Sequence, residues 1–266
     1  MVFLTNQKDI SANDKEFLSF NNIPYRLYQN EGFDFGMWYK AFGEYNPENY
    51  DRIGLINDSC ILFNKLDFFF EWLEKEDMDY ASMTDCNLVR YHLQSYFIIL
   101  NKNAIKPVIE YFQKNGILTD VKEIIHTYEV GLSEYLIGAG LNVEAYFSFK
   151  NESLNIDPTW IKTKELIKSG MPMIKKKILS RFYGDASWRY MVRFGFDPDP
   201  RNYIRLIKKL RPKGNIDELS SGILINLGWW QELKFYCRIY FAETYFFFVH
   251  RINKMKRAIV LATGGK

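Results

Sequence analysis

Over its first 150 residues the chain alternates short apolar runs with stretches whose apolar residues recur at spacings of three and four. No other feature constrains the fold as tightly. Strands separated by amphipathic helices build a layered α/β domain, and such connections favour a largely parallel sheet. Strands are expected at 2–5, 25–28, 52–56, 80–83, 95–100 and 143–147. Helices are expected at 14–20, 35–42, 66–75, 104–114 and 129–139, the last followed by Gly140 at a C-cap position.

The texture changes after Asp157-Pro158. A helix over 160–168 ends at Ser169-Gly170, and Met171-Pro172 is read as opening a second that runs through Lys175-Lys176-Lys177. Phe196-Asp197-Pro198-Asp199-Pro200 is a rigid break before a basic helix over 201–211. The expected division is a domain over 1–180 and a helical extension over 181–266. Charge supports two jobs: residues 1–160 carry 13 Lys+Arg against 24 Asp+Glu, and residues 161–266 carry 22 against 8. A basic back half suits an anionic partner or a solvated face.

Aromatic residues, 17% of the chain, concentrate in the tail over 219–261, where Trp229, Trp230, Tyr240 and Phe248 stand beside Lys234, Arg238 and Arg251. Two readings stay open for this tail: an interfacial helix on an anionic membrane surface, or core and homodimer contacts. Three cysteines without CxxC spacing indicate neither a disulfide framework nor a zinc site. No uncharged apolar run approaches the roughly 20 residues of a membrane span. The expectation is therefore a cytoplasmic protein, with the inner face of the cell membrane as its docking place if the tail is interfacial.

Three segments make poor sense as plain core. In Asn30-Glu31-Gly32-Phe33-Asp34-Phe35-Gly36-Met37-Trp38, glycines at a strand-to-helix passage suit close approach to an anion or to sugar hydroxyls, or an ordinary turn. The strand through Leu55-Ile56 ends in Asn57-Asp58-Ser59, where a carboxylate can hold the Mg²⁺ or Mn²⁺ of a nucleotide, or cap the next element. Glu129, in Thr127-Tyr128-Glu129-Val130-Gly131, is expected in the first turn of a helix, where capping alone is a sufficient reason for it.

Taken in order, these segments resemble the inverting GT-A glycosyltransferases, and more closely the rhamnan synthesis protein F family. The resemblance is carried by Gly32-Phe33-Asp34-Phe35-Gly36-x-Trp38, Leu55-Ile56-Asn57-Asp58-Ser59, Met83-Thr84-Asp85, His92-Leu93-Gln94-Ser95-Tyr96-Phe97, Tyr128-Glu129-Val130-Gly131-Leu132-Ser133 and Gly170-Met171-Pro172. It implies a GT-A fold, Rossmann-like with a mostly parallel sheet, that moves a hexose such as rhamnose from a dTDP- or UDP-linked donor to a lipid-linked glycan. Asn30, Gly32, Asp34, Gly36, Asn57, Asp58, Ser59 and Asp85 would bind the donor, with Asp58 also on Mn²⁺ or Mg²⁺. His92, Gln94, Ser95 and Tyr128 would contact donor or acceptor sugar, and Glu129 would be the general base. Two motifs depart from the pattern: Asn57-Asp58-Ser59 replaces an acidic-x-acidic run, and Glu129-Val130 replaces a Glu-Asp pair. The alternative is a non-catalytic carbohydrate-binding or assembly subunit of the same fold. Nucleic acid is not an expected partner, because no RNA-binding aromatic signature accompanies the basic residues.

Overall fold

The computed structural model describes residues 1–152, 157–181, 190–195, 201, 202, 205, 206 and 209. The tail over 219–261 and the break at 196–200 lie outside the described residues, and with them the membrane-surface and dimer expectations. Of the basic helix expected at 201–211, the described residues Arg201, Asn202, Arg205, Leu206 and Lys209 are helical.

In chain order the elements are β1 (Phe3–Thr5), α1 (Ala12–Phe20), β2 (Tyr25–Leu27), α2 (Phe33–Tyr45), β3 (Arg52–Ile56), β4 (Cys60–Leu62), α3 (Asp67–Glu76), β5 (Tyr80–Cys86), β6 (His92–Leu93) and β7 (Phe97–Asn101). There follow α4 (Lys102–Asn115), α5 (Val121–Ile124), a π-helical turn (Ile125–Gly131), α6 (Leu132–Gly138), β8 (Val143–Phe147), α7 (Pro158–Ile161), α8 (Thr163–Lys168), β9 (Met173–Lys175) and α9 (Lys176–Arg181). The described residues form two compact units, one of residues 1–57, 73–85 and 90–146, the other of 58–72, 86–89 and the described residues from 147 onward.

In the first unit the expected parallel sheet is replaced by an antiparallel core. β3 pairs antiparallel with β7, Arg52 opposite Asn101 and Ile56 opposite Phe97. β5 pairs antiparallel with the other edge of β7, Tyr80 opposite Leu100. The order is β3-β7-β5-β6, with β8 also on β5. Chain length explains the departure: the stretch 87–96 between β5 and β7 is shorter than the dozen or so residues a parallel crossover needs, so the chain turns back. β3 and β5 do run in one direction, as the strand-helix alternation implies, but β7 is inserted between them. β1 pairs parallel with β2.

Helices cover this sheet with apolar faces read correctly from their spacing. Ala104, Ile105, Val108 and Phe112 of α4 meet Phe35 and Trp38 of α2, and Ile124, Leu132 and Leu136 of the long helix that α5, the π-helical turn and α6 make together, over a sheet layer of Leu55, Ile98 and Leu100. Gly140 closes α6 at a φ of 80°. Its N–H bonds Ile137 O and that of Leu141 bonds Leu136 O, a Schellman ending that a residue with a Cβ resists.

The second unit holds β4 antiparallel to β9, Cys60 opposite Lys175, over a core of Phe63, Ile167, Ile174, Ile178, Leu179 and Met191. Met171-Pro172 thus opens a strand and not the expected helix, because Pro172 O accepts from Phe63 N and starts the ladder. The helix expected over 160–168 breaks at Lys162, whose φ of −107° and ψ of 16° separate α7 from α8. Among the described residues no helix is long and apolar enough to cross a membrane.

Candidate functional site

The turn before α2 shows why its glycines are there. Gly32 stands at a φ of 76°, and Gly36 N–H donates to Gly32 O at 2.9 Å. A Cβ on Gly36 would lie 1.8 Å from Glu31 O, so the loop closes onto its own helix at a point only glycine fits. Within this turn Asp34 Oδ2 accepts from Asn57 Nδ2 at 2.9 Å, and Asn57 N–H donates to Tyr96 O at 3.3 Å. Asp34 and Asn57, both expected on the donor side, are therefore brought together and tied to the 92–96 segment. Asn30 is exposed at the edge of this turn.

β5 carries a buried polar relay. Thr84 Oγ1–H donates to Gln94 Oε1 at 2.6 Å. A hydroxyl has one proton, so the 2.7 Å contact between Thr84 Oγ1 and Tyr96 Oη has the phenol as donor. Ser82 Oγ–H donates to Gln94 O at 2.8 Å. Asp85 is fully buried, and the neighbouring Tyr91 phenol is pushed well above its ordinary value, by burial first and then by the charges of Asp85 and Glu144. His92 Nδ1 lies 2.8 Å from Arg90 O.

Glu129 is not a cap. The N-cap of its helix is Asp120, whose Oδ1 accepts from Lys122 N and Glu123 N at 2.9 and 3.0 Å. Glu129 sits well inside, on the π-helical turn 125–131, a wider coil that is rare and recurs at functional sites. Tyr111 Oη–H donates to Thr127 O at 2.8 Å, and a Cβ on Gly131 would lie 2.7 Å from Tyr111 Oη. The phenol, the glycine and the wide turn belong together. They present Glu129 Oε1 to Ser95, whose Oγ–H and N–H donate to it at 3.0 and 3.4 Å. Ser133 Oγ accepts from Leu93 N at 3.0 Å in the same manner. Burial and the charge of Glu129 raise the Tyr80 phenol beside them. Among the described residues Glu129 Oε2 has no partner, so it is open to a proton donor.

Tyr128 contributes differently from the sugar contact expected of it. Its ring is buried, stacked on Phe35 at 5.2 Å, and its hydroxyl donates to Gly116 O, so both face and tip are taken up by the core. Thr84, Tyr96, Tyr111 and Ser133 are members that sequence reasoning missed. Thr84, Tyr96 and Ser133 lie within the quoted motifs, whereas Tyr111 carries no signal beyond one more aromatic residue on an amphipathic helix.

In the second unit Asp58 Oδ2 pairs with Lys176 Nζ at 3.0 Å, the two side chains 96% and 34% exposed. Ser59 O accepts from Lys176 N at 2.8 Å. Burial pushes the Cys60 thiol up to about 11. For a divalent ion this donor set is poor: Asp58 offers one carboxylate, already matched by an ammonium. Among the described residues no three His, Cys, Asp or Glu side chains gather for a metal.

The model of the rhamnan synthesis protein F family matches residues 1–193. The chain is similar to the virulence protein VirA of Vibrio anguillarum strain ATCC 68554 / 775, 27% identical over 187 residues that cover 57% of this chain and 60% of VirA. A second VirA from Vibrio anguillarum matches over the same extent. The chain spans about 60% of the length of these curated relatives. Because the family match extends over well more than half of its length and takes in every segment of the site described above, the chain belongs to the rhamnan synthesis protein F family, named for the synthesis of a polysaccharide.

Proposed function

We propose that the chain is a glycosyltransferase of GT-A type that moves a hexose, rhamnose or a similar sugar, from a dTDP- or UDP-linked donor to a lipid-linked bacterial surface polysaccharide with inversion. Family membership supports the polysaccharide context. One observation carries the chemistry: Glu129 is anchored through Oε1 by Ser95 and keeps Oε2 open. In the proposed step the acceptor oxygen forms its bond to the anomeric carbon while the bond from that carbon to the diphosphate oxygen breaks. The electron pair leaves with the nucleotide diphosphate, and the acceptor hydroxyl proton passes to Glu129 Oε2. Asn30, Gly32, Asp34, Gly36, Asn57 and Asp85 are assigned to the donor. Asp58 and Ser59 join them on the resemblance alone. Mn²⁺ or Mg²⁺ enters only as an ion whose ligands come mostly from the donor's own phosphates.

The test is transfer from nucleotide sugars by the purified full chain. Glu129→Gln keeps an oxygen for Ser95 and removes the base, so transfer should fall about 100-fold or more with donor binding nearly intact. Unchanged turnover removes Glu129 from the mechanism. A second reading, a carbohydrate-binding or assembly subunit, is favoured by the bonds from Ser95 to Glu129, which suffice to explain this carboxylate structurally. A pure binder shows neither transfer nor donor hydrolysis at any metal concentration.

A further inference from the structure

We infer that Arg90 is a positioning residue for Glu129: its guanidinium clasps the long helix on both sides of that carboxylate and keeps the π-helical turn in register. The use made of Glu129 rests on the transferase reading above. Arg90 Nε donates to Glu134 Oε1 at 2.8 Å, and Arg90 Nη2 lies 3.3 Å from His126 Nδ1. A guanidinium only donates, so His126 Nδ1 is the acceptor and the ring proton sits on Nε2. Glu129 stands between the two clasped positions.

Spacing gives the clasp its meaning. In an α-helix each residue turns the chain by about 100°, so positions eight apart, such as 126 and 134, end about 80° from one another around the axis and do not share a face. A π-helical turn takes in an extra residue. Positions 126 and 134 then stand as positions seven apart do in a plain α-helix, within about 20° of one line, and one guanidinium meets both. The two contacts therefore exist together because the turn 125–131 is wide. Relaxation of the turn to an α-helix would swing Glu134 out of reach of Arg90, so the clasp opposes the same change that would rotate Glu129 away from Ser95. The turn is held from its other side by Tyr111, whose hydroxyl donates to Thr127 O. Burial raises this phenol, the charge of Glu134 raises it further and that of Arg90 lowers it, so the inner bond and the half-exposed outer clasp lie within each other's field. A lysine at 90 could serve either partner, but it lacks the planar fork that serves both.

The experiment compares the full chain with its Arg90→Met and Arg90→Lys variants. In Arg90→Met the kcat for transfer from a nucleotide sugar should fall about two- to fivefold with the donor KM unchanged, the scale of a half-exposed ion pair, and Arg90→Lys should recover only part of the loss. Hydrogen exchange at the amides of 127–132 should quicken by a similar factor in Arg90→Met. The Ser95 amide resonance should move in the direction it takes in Glu129→Gln, which replaces the carboxylate by a weaker acceptor. The imidazole ¹⁵N resonances of His126 in the wild type at pH 8 should report the Nε2–H tautomer. Unchanged exchange, an unmoved Ser95 amide or a full kcat in Arg90→Met overturns the inference, as does an Nδ1–H tautomer at His126. The two readings fail separately: full kcat in Arg90→Met sinks the clasp and spares the transferase, whereas a wild type that transfers sugar from no donor sinks the transferase, and the exchange rates and the Ser95 resonance still decide the clasp.

Discussion

Replacing Gly131 by Ala should destabilise the protein, and the same replacement in a Tyr111→Phe background should not. Gly131 has a φ of −69° and a ψ of −31°, ordinary helical values, so glycine is not needed for its backbone freedom. Space is the reason. A Cβ would meet Tyr111 Oη at 2.7 Å and His126 O at 3.1 Å, while the next phenol atom, Cζ, stands at 3.9 Å. The intruding methyl displaces the phenol from Thr127 O, costing about 1 kcal/mol for the bond and about 1–3 for the strain. Against this, alanine gains about 1 kcal/mol over glycine inside a helix. The net for Gly131→Ala is a loss of about 1–3 kcal/mol, near 2–4 °C per kcal/mol for a domain of this size. With phenylalanine at 111 the oxygen is gone and only the His126 carbonyl crowds the methyl. The loss should then vanish or reverse, giving a coupling of about 1–3 kcal/mol. Calorimetry, which separates the transitions of two units, measures all four corners of the cycle. Equal losses in both backgrounds refute the idea that one contact links glycine, phenol and π-helical turn.

Gly36→Ala should be worse tolerated, by about 3 kcal/mol, because the obstructing atom at 1.8 Å is the Glu31 carbonyl and not a movable side chain; a melting point within 2–4 °C of wild type, the shift of about 1 kcal/mol, contradicts this. The Cys60 thiol, raised by burial from 9.0 to about 11, keeps its proton in the folded state while the unfolded chain releases it. Its contribution to stability is therefore whole below pH 9 and declines as pH rises toward 11, a slope that Cys60→Ala should flatten. Peptide mapping after brief iodoacetamide treatment at pH 8 should find Cys60 mostly unlabelled, and labelling at the rate of a free thiol denies the burial. Asp58→Asn breaks an exposed ion pair and should change stability by no more than about 1 kcal/mol. If a metal nonetheless serves Asp58, the melting shift caused by a nucleoside diphosphate with Mn²⁺ will drop to its EDTA value in this variant; a shift equal in wild type and variant assigns Asp58 to structure.

Much of this architecture is written in short-range pattern. The strands Arg52–Ile56 and Val143–Phe147 end where their apolar runs end, and Gly140 announces its helix terminus. Sheet direction was not legible, because the decisive fact is the length of a return loop and the insertion of β7 between two strands that precede it. β4 and β9, three residues each, are too short to show alternation and exist by pairing with one another. At the site, Asp34 and Asn57 come together through a hydrogen bond, while Glu129 lies well inside its helix and not in the expected first turn. Its neighbours look like a helix start, yet Asp120 had already provided one. A π-helical turn has no local signature here, since it depends on Tyr111 arriving from another helix.

The long helix also shields the flank of the sheet. β6 stands at the end of the sheet order, and the backbone amides of Leu93 and Ser95, which would otherwise form a free donor row, are met by Ser133 Oγ and Glu129 Oε1. A flank closed by side chains cannot recruit a strand from another copy of the chain, so this border does not template aggregation. Any self-association must then use a different surface. The same reasoning separates two changes at one residue: Glu129→Gln keeps an acceptor for Ser95 and leaves the border sealed, whereas Glu129→Ala uncovers an amide, and its loss of soluble protein will be misread as loss of catalysis unless aggregation is measured alongside.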